Sequence, residues 1–272
     1  MTSINTNVGA LNARASAVRA TTGMEQAMER LSSGRRVNSA ADDAAGLSVA
    51  GKMESQLRGI NMSIRNAQDG VGLIQTAESG VNEIRNMVLR MRELAVQMAN
   101  GIYENTPDRN NAQLEVTALI NQVTLIAENT RFNDVALLDG SFTTVNIRTG
   151  NTTAETIELS FVDMASSGLS IDAVDVGTQT NATSALGTLD SALETIASEQ
   201  ATMGSLINRL NFSINNQSKA SVMTEQAVGR IMDSDFATET TNLSKQQILN
   251  QAATSMLAQA NQSKQSILAL LQ

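Results

Sequence analysis

Apolar residues recur along the middle of the chain in steps of three and four. The longest run takes Leu57, Ile60, Ile64, Ala67, Val71, Ile74, Ala77, Val81, Ile84, Val88, Met91, Ala95 and Met98, and the alternation breaks only around Ile74. That stepping holds one narrow stripe on one face of a helix, which is the seam of a coiled coil. At 1.5 Å per residue the helix runs roughly 60 Å, longer than an ordinary globular domain needs. Asn100-Gly101, tolerant of left-handed backbone, predicts its end, and Thr106-Pro107-Asp108 predicts an N-cap, a first-turn proline and an early acid for the next helix. Val116, Ile120, Val123 and Ala127 stripe that second helix, and the short connection folds it back antiparallel. A third seam takes Leu186, Leu189, Leu193, Ile196, Gln200, Met203, Ile207, Leu210 and Ile214. Three narrow stripes predict an elongated bundle over residues 45–230.

The period changes between residues 131 and 180. Val145 and Ile147 alternate, Gly150-Asn151 follows, and Ile157, Leu159 and Phe161 alternate, which predicts a short β-hairpin appended to the bundle. At the two ends the period is helical again, with Ile4, Val8, Leu11, Ala15 and Val18 on one side and Leu249, Ala253, Met256, Ala260, Ile267 and Leu271 on the other. Residues 248–263 carry no charge at all, a surface built to be covered, and neighbouring subunits are the expected cover.

Composition removes other classes. Two per cent aromatic residues is too little for an aromatic-filled core and enough for helix seams of Ala, Leu, Ile, Val and Met. A net charge of −8 opposes unaided binding to nucleic acid or anionic lipid. The chain has no Cys and no His, which removes disulfides, thiolate zinc sites and cysteine nucleophiles. No run approaches the ~18 apolar residues of a membrane span, and the start lacks a basic and apolar leader, so by themselves these features predict a cytoplasmic protein.

The residues that carry a family likeness are Ile4-Asn5-Thr6-Asn7 and the run from Arg30-Leu31-Ser32-Ser33-Gly34 through Asp42-Asp43-Ala44-Ala45-Gly46. It continues through Arg65-Asn66-Ala67-Gln68-Asp69-Gly70, Arg92-Glu93-Leu94-Ala95-Val96-Gln97, Thr130-Arg131-Phe132-Asn133 and Met256-Leu257-Ala258-Gln259-Ala260-Asn261-Gln262. They resemble bacterial flagellin over almost everything except about 140–180. The resemblance implies a mainly α fold: an elongated antiparallel helical bundle with a small β-hairpin appendage and paired N- and C-terminal coiled-coil helices. It implies a terminal core domain of residues 1–32 and 235–272, a spoke of 33–46 and an outer bundle of 47–234 with the hairpin region at 131–180.

The function implied is that of a structural subunit that self-polymerises into the flagellar filament, without catalysis or cofactor. Ile4, Val8, Leu11, Ala15, Val18, Leu249, Ala253, Met256, Ala260, Ile267 and Leu271 are the expected filament core packing. The implied partners are further copies of the chain, hook-associated and cap proteins, an export chaperone on residues 243–272, and a Toll-like receptor at Arg90, Leu94 and Glu115. The family is exported unfolded through the flagellar type III apparatus without signal cleavage, which reverses the cytoplasmic expectation. The large variable outer domains of many relatives are missing, so the expected filament is thin and smooth.

Asp42-Asp43 reads as a helix-terminus pair beside Arg35 or Arg36 rather than an acid or metal site. The methionines at 87, 91, 98, 203, 223 and 256 read as seam filler rather than a soft-metal box. A hook-filament junction protein is the alternative within the same machine, and an enzyme or surface ligand-binding protein centred on 131–180 the alternative of a different class.

Overall fold

The computed structural model describes residues 6–142, 144–151 and 154–269. Five long helices dominate: α1 (Val8–Ser33), α2 (Ala44–Met98), α3 (Asn110–Asn129), α4 (Gln179–Met232) and α5 (Phe236–Ala269). Between α3 and α4 lie four short strands, β1 (Arg131–Phe132), β2 (Val135–Ala136), β3 (Val145–Arg148) and β4 (Thr156–Leu159). The chain divides into two compact units, one made by residues up to 57 and from 222 onward, the other by residues 58–221. No helix among the described residues is long and apolar enough to cross a membrane.

In the 58–221 unit the seams are where the steps of three and four put them. Ile74, Ala77, Val81, Ile84, Val88, Met91 and Ala95 of α2 are fully buried, as are Val116, Val123 and Ala127 of α3 and Leu189, Ile196, Met203 and Leu210 of α4. Polar contacts along the rim fix direction and register. Arg92 Nε bonds Asp190 Oδ1 at 2.6 Å, Gln200 Nε2 bonds Asn82 Oδ1 at 2.7 Å and Ser221 Oγ bonds Asn61 Oδ1 at 3.1 Å. Each step back along α2 is matched by an equal step forward along α4, so the two are antiparallel with no slip, as a continuous seam requires. The Arg90 to Glu115 bond and the approach of residue 80 to Thr130 set α3 antiparallel to α2 in the same way.

The turn from α2 to α3 differs from the expectation. Neither Asn100 nor Gly101 has positive φ, and Thr106 and Pro107 lie inside a single π-helical turn, Asn105–Arg109, that runs into α3. The end of α2 is closed by a side chain instead. Arg109, 4% exposed, donates to the carbonyls of Met98 (3.0 Å), Asn100 (2.9 Å) and Tyr103 and to Asn105 Oδ1 (2.9 Å). Those carbonyls have no helical partner, and a planar donor fork satisfies several at once.

The hairpin forms, with Val145 opposite Leu159 and Ile147 opposite Ile157. A second, smaller hairpin precedes it: β1 and β2 are joined by Asn133 and Asp134, both with positive φ, the backbone of a type I′ turn. The surrounding segment also supplies core. Leu137, Leu138, Phe142, Leu159, Phe161, Met164, Ile171 and Val176 join the same cluster as the helix seams, and the rings of Phe142 and Phe161 lie 5.1 Å apart.

Gly80 is a point of close approach of this segment to α2. A Cβ there would lie 2.6 Å from Thr130 Oγ1 and 2.9 Å from Leu138 Cδ1, and both neighbours are held, Thr130 by its bond to the Ile126 carbonyl and Leu138 by full burial. Gly80→Ala therefore destabilises by about 1 to 2 kcal/mol despite the better helix propensity of alanine, a shift measurable in urea unfolding. A stabilised variant would show that the segment yields at this point.

Glu199 of α4 is buried at 5% exposure. Its carboxylate faces the Val162 backbone amide, while Oε1 has no hydrogen-bond partner. Burial raises its pKa, so the native state holds the proton more tightly than the unfolded chain. The stability this proton confers is complete below the unfolded carboxyl value and is lost as pH rises through the raised native one. Glu199→Gln accordingly gains about 1 kcal/mol at neutral pH and little at acid pH. Thermal unfolding at both pH values checks it, and an equal effect at the two would overturn the assignment.

Candidate functional site

α1 and α5 of the other unit pack antiparallel along a seam of small residues. Asn7 Nδ2 donates to the Ala260 carbonyl (3.0 Å), Asn250 Nδ2 to Thr21 Oγ1 (2.8 Å) and Arg30 Nη1 to Glu239 Oε1 (3.3 Å). Among the covered positions on α1, Ala10, Ala13, Ala17, Ala20, Met24, Ala27 and Leu31 step by three and four, with Thr21, Gly23 and Arg30 half-buried beside them. On α5 the series is Glu239, Leu243, Gln246, Asn250, Ala253, Leu257 and Ala260, again in steps of three and four, with Thr240 half-buried beside it. This is a heptad pair whose knobs on α1 are mostly methyl groups. Each buries little apolar area, so the pair gains far less from its own closure than a leucine seam would.

Other large apolar side chains lie on the outward faces. Val8, Leu11, Val18, Leu249 and Met256 are 45% to 64% exposed, and Ala15 is exposed beside them. Of the described residues expected in the filament core packing, Ala253 is buried and Ala260 half-buried along this seam, and the others stand on its outward faces. Ile4, Leu271 and the side chain of Ile267 lie outside the described residues. The sequence stripe is thus a surface row, because alanine won the helix–helix contact. A groove of about 670 Å³ runs between α1 and α5, lined among others by Ala13, Arg19, Leu249 and Met256. Met223 is also exposed, so the methionines at 223 and 256 do not fill seams in this chain, unlike those at 91, 98 and 203.

The loop after α1 is tied to the loop before α5. Gly34 ends α1 with φ of 69°, the left-handed cap that glycine adopts without strain. Arg36 N then donates to the Met232 carbonyl (2.6 Å) and Ser234 N to the Gly34 carbonyl (3.0 Å), and Val37, Ala50 and Met232 form a small core beneath. Asp43 caps α2 through the Gly46 amide at 2.8 Å, as the helix-terminus reading required. Asp42 accepts from Ser39 N and Oγ, which hold its carboxyl below the usual range, and lies 3.6 Å from Arg30. Arg35 and Arg36 are not the partners of this acid pair: Arg35 faces Glu54 and Arg36 bonds the Ile231 carbonyl. Arg30 takes that place, and with Glu239 it joins α1, the loop and α5 in one ionic group.

Arg90 and Glu115 form an exposed ion pair at 2.9 Å, with Glu93 as second partner at 3.2 Å, and this pairing raises the Arg90 pKa. Leu94, named with them from the sequence, points into the core at 4% exposure. The patch open to solvent is therefore the two charges.

The profile of the bacterial flagellin N-terminal helical region matches residues 4–143, and that of the C-terminal helical region matches 186–271. A flagellin of Halalkalibacterium halodurans is 41% identical over 98% of this chain and 99% of its own length. A flagellin of Bacillus subtilis is 35% identical over the same shares. The crystal structure of Bacillus cereus flagellin superposes on 56% of this chain and 88% of its own with a TM-score of 0.52 at 30% identity. The first matched region takes in α1, α2 and α3 and the second most of α4 and α5, and these two relatives match end to end. The chain belongs to the bacterial flagellin family, as a short-form member and a structural subunit of the flagellar filament.

Proposed function

We propose that the subunits are joined through the outward rows of α1 and α5, with Val8, Leu11, Ala15 and Val18 on one helix and Leu249 and Met256 on the other, and that Ile4, Ile267 and Leu271 extend these rows. The observation that carries this reading is the exposure of the large apolar side chains on a pair whose own seam is alanine. Full burial of such a side chain is worth about 1.5 to 3 kcal/mol before ordering costs, and a row of them on each subunit supplies what the pair lacks alone. Because the covering surfaces differ between neighbours, the contact is heterologous and grows an open helix rather than a closed ring. Residues 1–32 and 235–272 form the filament core, 33–46 the spoke and 47–234 the outer bundle.

The subunit works by packing alone, without catalysis. It reaches the filament by export, and a chaperone covers residues 243–272 beforehand, which the exposed Ile248, Leu249 and Met256 and the uncharged run of residues 248–263 support. Cap and hook-associated proteins meet the same surfaces at the two filament ends. A Toll-like receptor contact falls on Arg90 and Glu115, with Leu94 supporting them from the core.

Seeded polymerisation followed by electron microscopy tests the central claim. The intact chain forms filaments, and a chain lacking residues 4–31 and 235–272 stays monomeric. Filaments from the shortened chain would place assembly elsewhere.

A further inference from the structure

The turn between α2 and α3 carries Asn100-Gly101, the one Asn-Gly pair in the chain. Both residues are exposed and stand outside the helices, past the end of α2 and before the π turn that begins at Asn105. Asn100 Oδ1 accepts from the Ile102 amide at 3.3 Å, which folds the side chain back over the intervening Gly101 peptide and polarises its amide carbonyl. Gly101 has no Cβ to crowd a ring closure, and the nearest atoms to a Cβ there belong to Gln179, 3.4 Å away and flexible. The Asp69-Gly70 pair offers no such access, because its peptide is held inside α2.

We propose that Asn100 is a site of spontaneous amide-to-acid conversion and that Arg109 steers the product to isoaspartate. The Gly101 backbone nitrogen attacks Asn100 Cγ, its proton leaves with the side-chain nitrogen as ammonia, and a five-membered succinimide closes. Water then adds to one of the two ring carbonyls and opens it. Addition at Cγ gives aspartate, and addition at the main-chain carbonyl carbon gives isoaspartate, in which the backbone runs through the former side chain. The net change is one water consumed and one ammonia released.

Arg109 decides between the two. Its Nη2 donates to the Asn100 main-chain oxygen at 2.9 Å. A guanidinium there polarises that carbonyl toward water and draws the addition to it. In the isoaspartate the same oxygen becomes part of a free carboxylate, so a bond between a cation and a carbonyl becomes a charge-assisted one. Each subunit thereby acquires a negative charge and a lengthened backbone at this turn as it ages, and Arg109 holds the altered end of α2 in place.

The test uses the full-length protein, incubated for weeks at mildly alkaline pH and mapped by peptide mass spectrometry, with isoaspartate read by isoaspartyl methyltransferase labelling. The expected result is conversion at Asn100 ahead of every other asparagine, with isoaspartate in greater excess in the native protein than in the same chain in urea. Gly101→Ala, whose φ and surroundings accept a methyl group, keeps the helical circular dichroism and loses the conversion. Conversion at Asn100 no faster than at the loop residue Asn151, or undiminished in Gly101→Ala, would overturn the site. An equal product ratio in native and unfolded chains would overturn the part assigned to Arg109.

Discussion

Replacing Arg109 by methionine is expected to lower stability by about 2 to 4 kcal/mol, the largest loss from any single polar side chain in this protein. The guanidinium is buried and serves the carbonyls of Met98, Asn100 and Tyr103 and the amide oxygen of Asn105. Methionine fills much of the same volume, so the loss comes from acceptors rather than from a cavity. The buried Met98 carbonyl without a donor costs roughly 1 to 3 kcal/mol and the part-buried Asn100 and Tyr103 carbonyls less, and relief from burying a cation offsets part of the sum. Arg109→Lys retains a point charge and loses the fork, so it falls between the two. Urea unfolding reads the result as a lower midpoint at unchanged slope. A change within about 0.5 kcal/mol would mean that water reaches these carbonyls.

The second large effect is on assembly and leaves the monomer intact. Val18→Glu with Met256→Glu places two carboxylates on side chains that are 59% and 64% exposed, and glutamate suits a helix surface. Surface changes of this kind stay within about 0.5 kcal/mol of the parent in unfolding. Inside a subunit contact the same carboxylates are stripped of water with no cation assigned to them, which costs several kcal/mol at every interface. The expected outcome is an unchanged melting curve and no filaments after seeding. Normal filaments would show that these faces remain wet in the polymer, and a collapsed melting curve would show that they hold the monomer.

The long seams could be read from the sequence because Leu, Ile, Val and Met at steps of three and four leave one face to bury. The terminal pair could not be read in the same way. Ala13, Ala20 and Ala27 stand a heptad apart, but alanine suits any helix face, so Val8, Leu11 and Val18 drew the eye to the opposite side. Arg109 was hidden because arginine is ordinarily a surface residue, and only the unfilled carbonyls at the end of α2 reveal its place. The β1–β2 ribbon has a two-residue turn, Asn133-Asp134, whose tolerance of positive φ was available as a signal, but its strands are too short to show alternation. Leu94 and Arg90 sit one helical turn apart, and sequence spacing alone did not separate the buried one from the exposed one.

The alanine seam between α1 and α5 has a mechanical consequence. Large interlocking knobs resist sliding of one helix along another, whereas the methyl groups that α1 presents at most of its seam positions give the larger side chains of α5 little to lock against. Displacement along that seam is opposed mainly by three polar stops, Asn7 on the Ala260 carbonyl, Asn250 on Thr21 and Arg30 on Glu239. They are spread along the length of the pair like the detents of a vernier. A small axial slip strains all three together before it disturbs the packing, so their combined give sets the stiffness of this helix pair along its own axis.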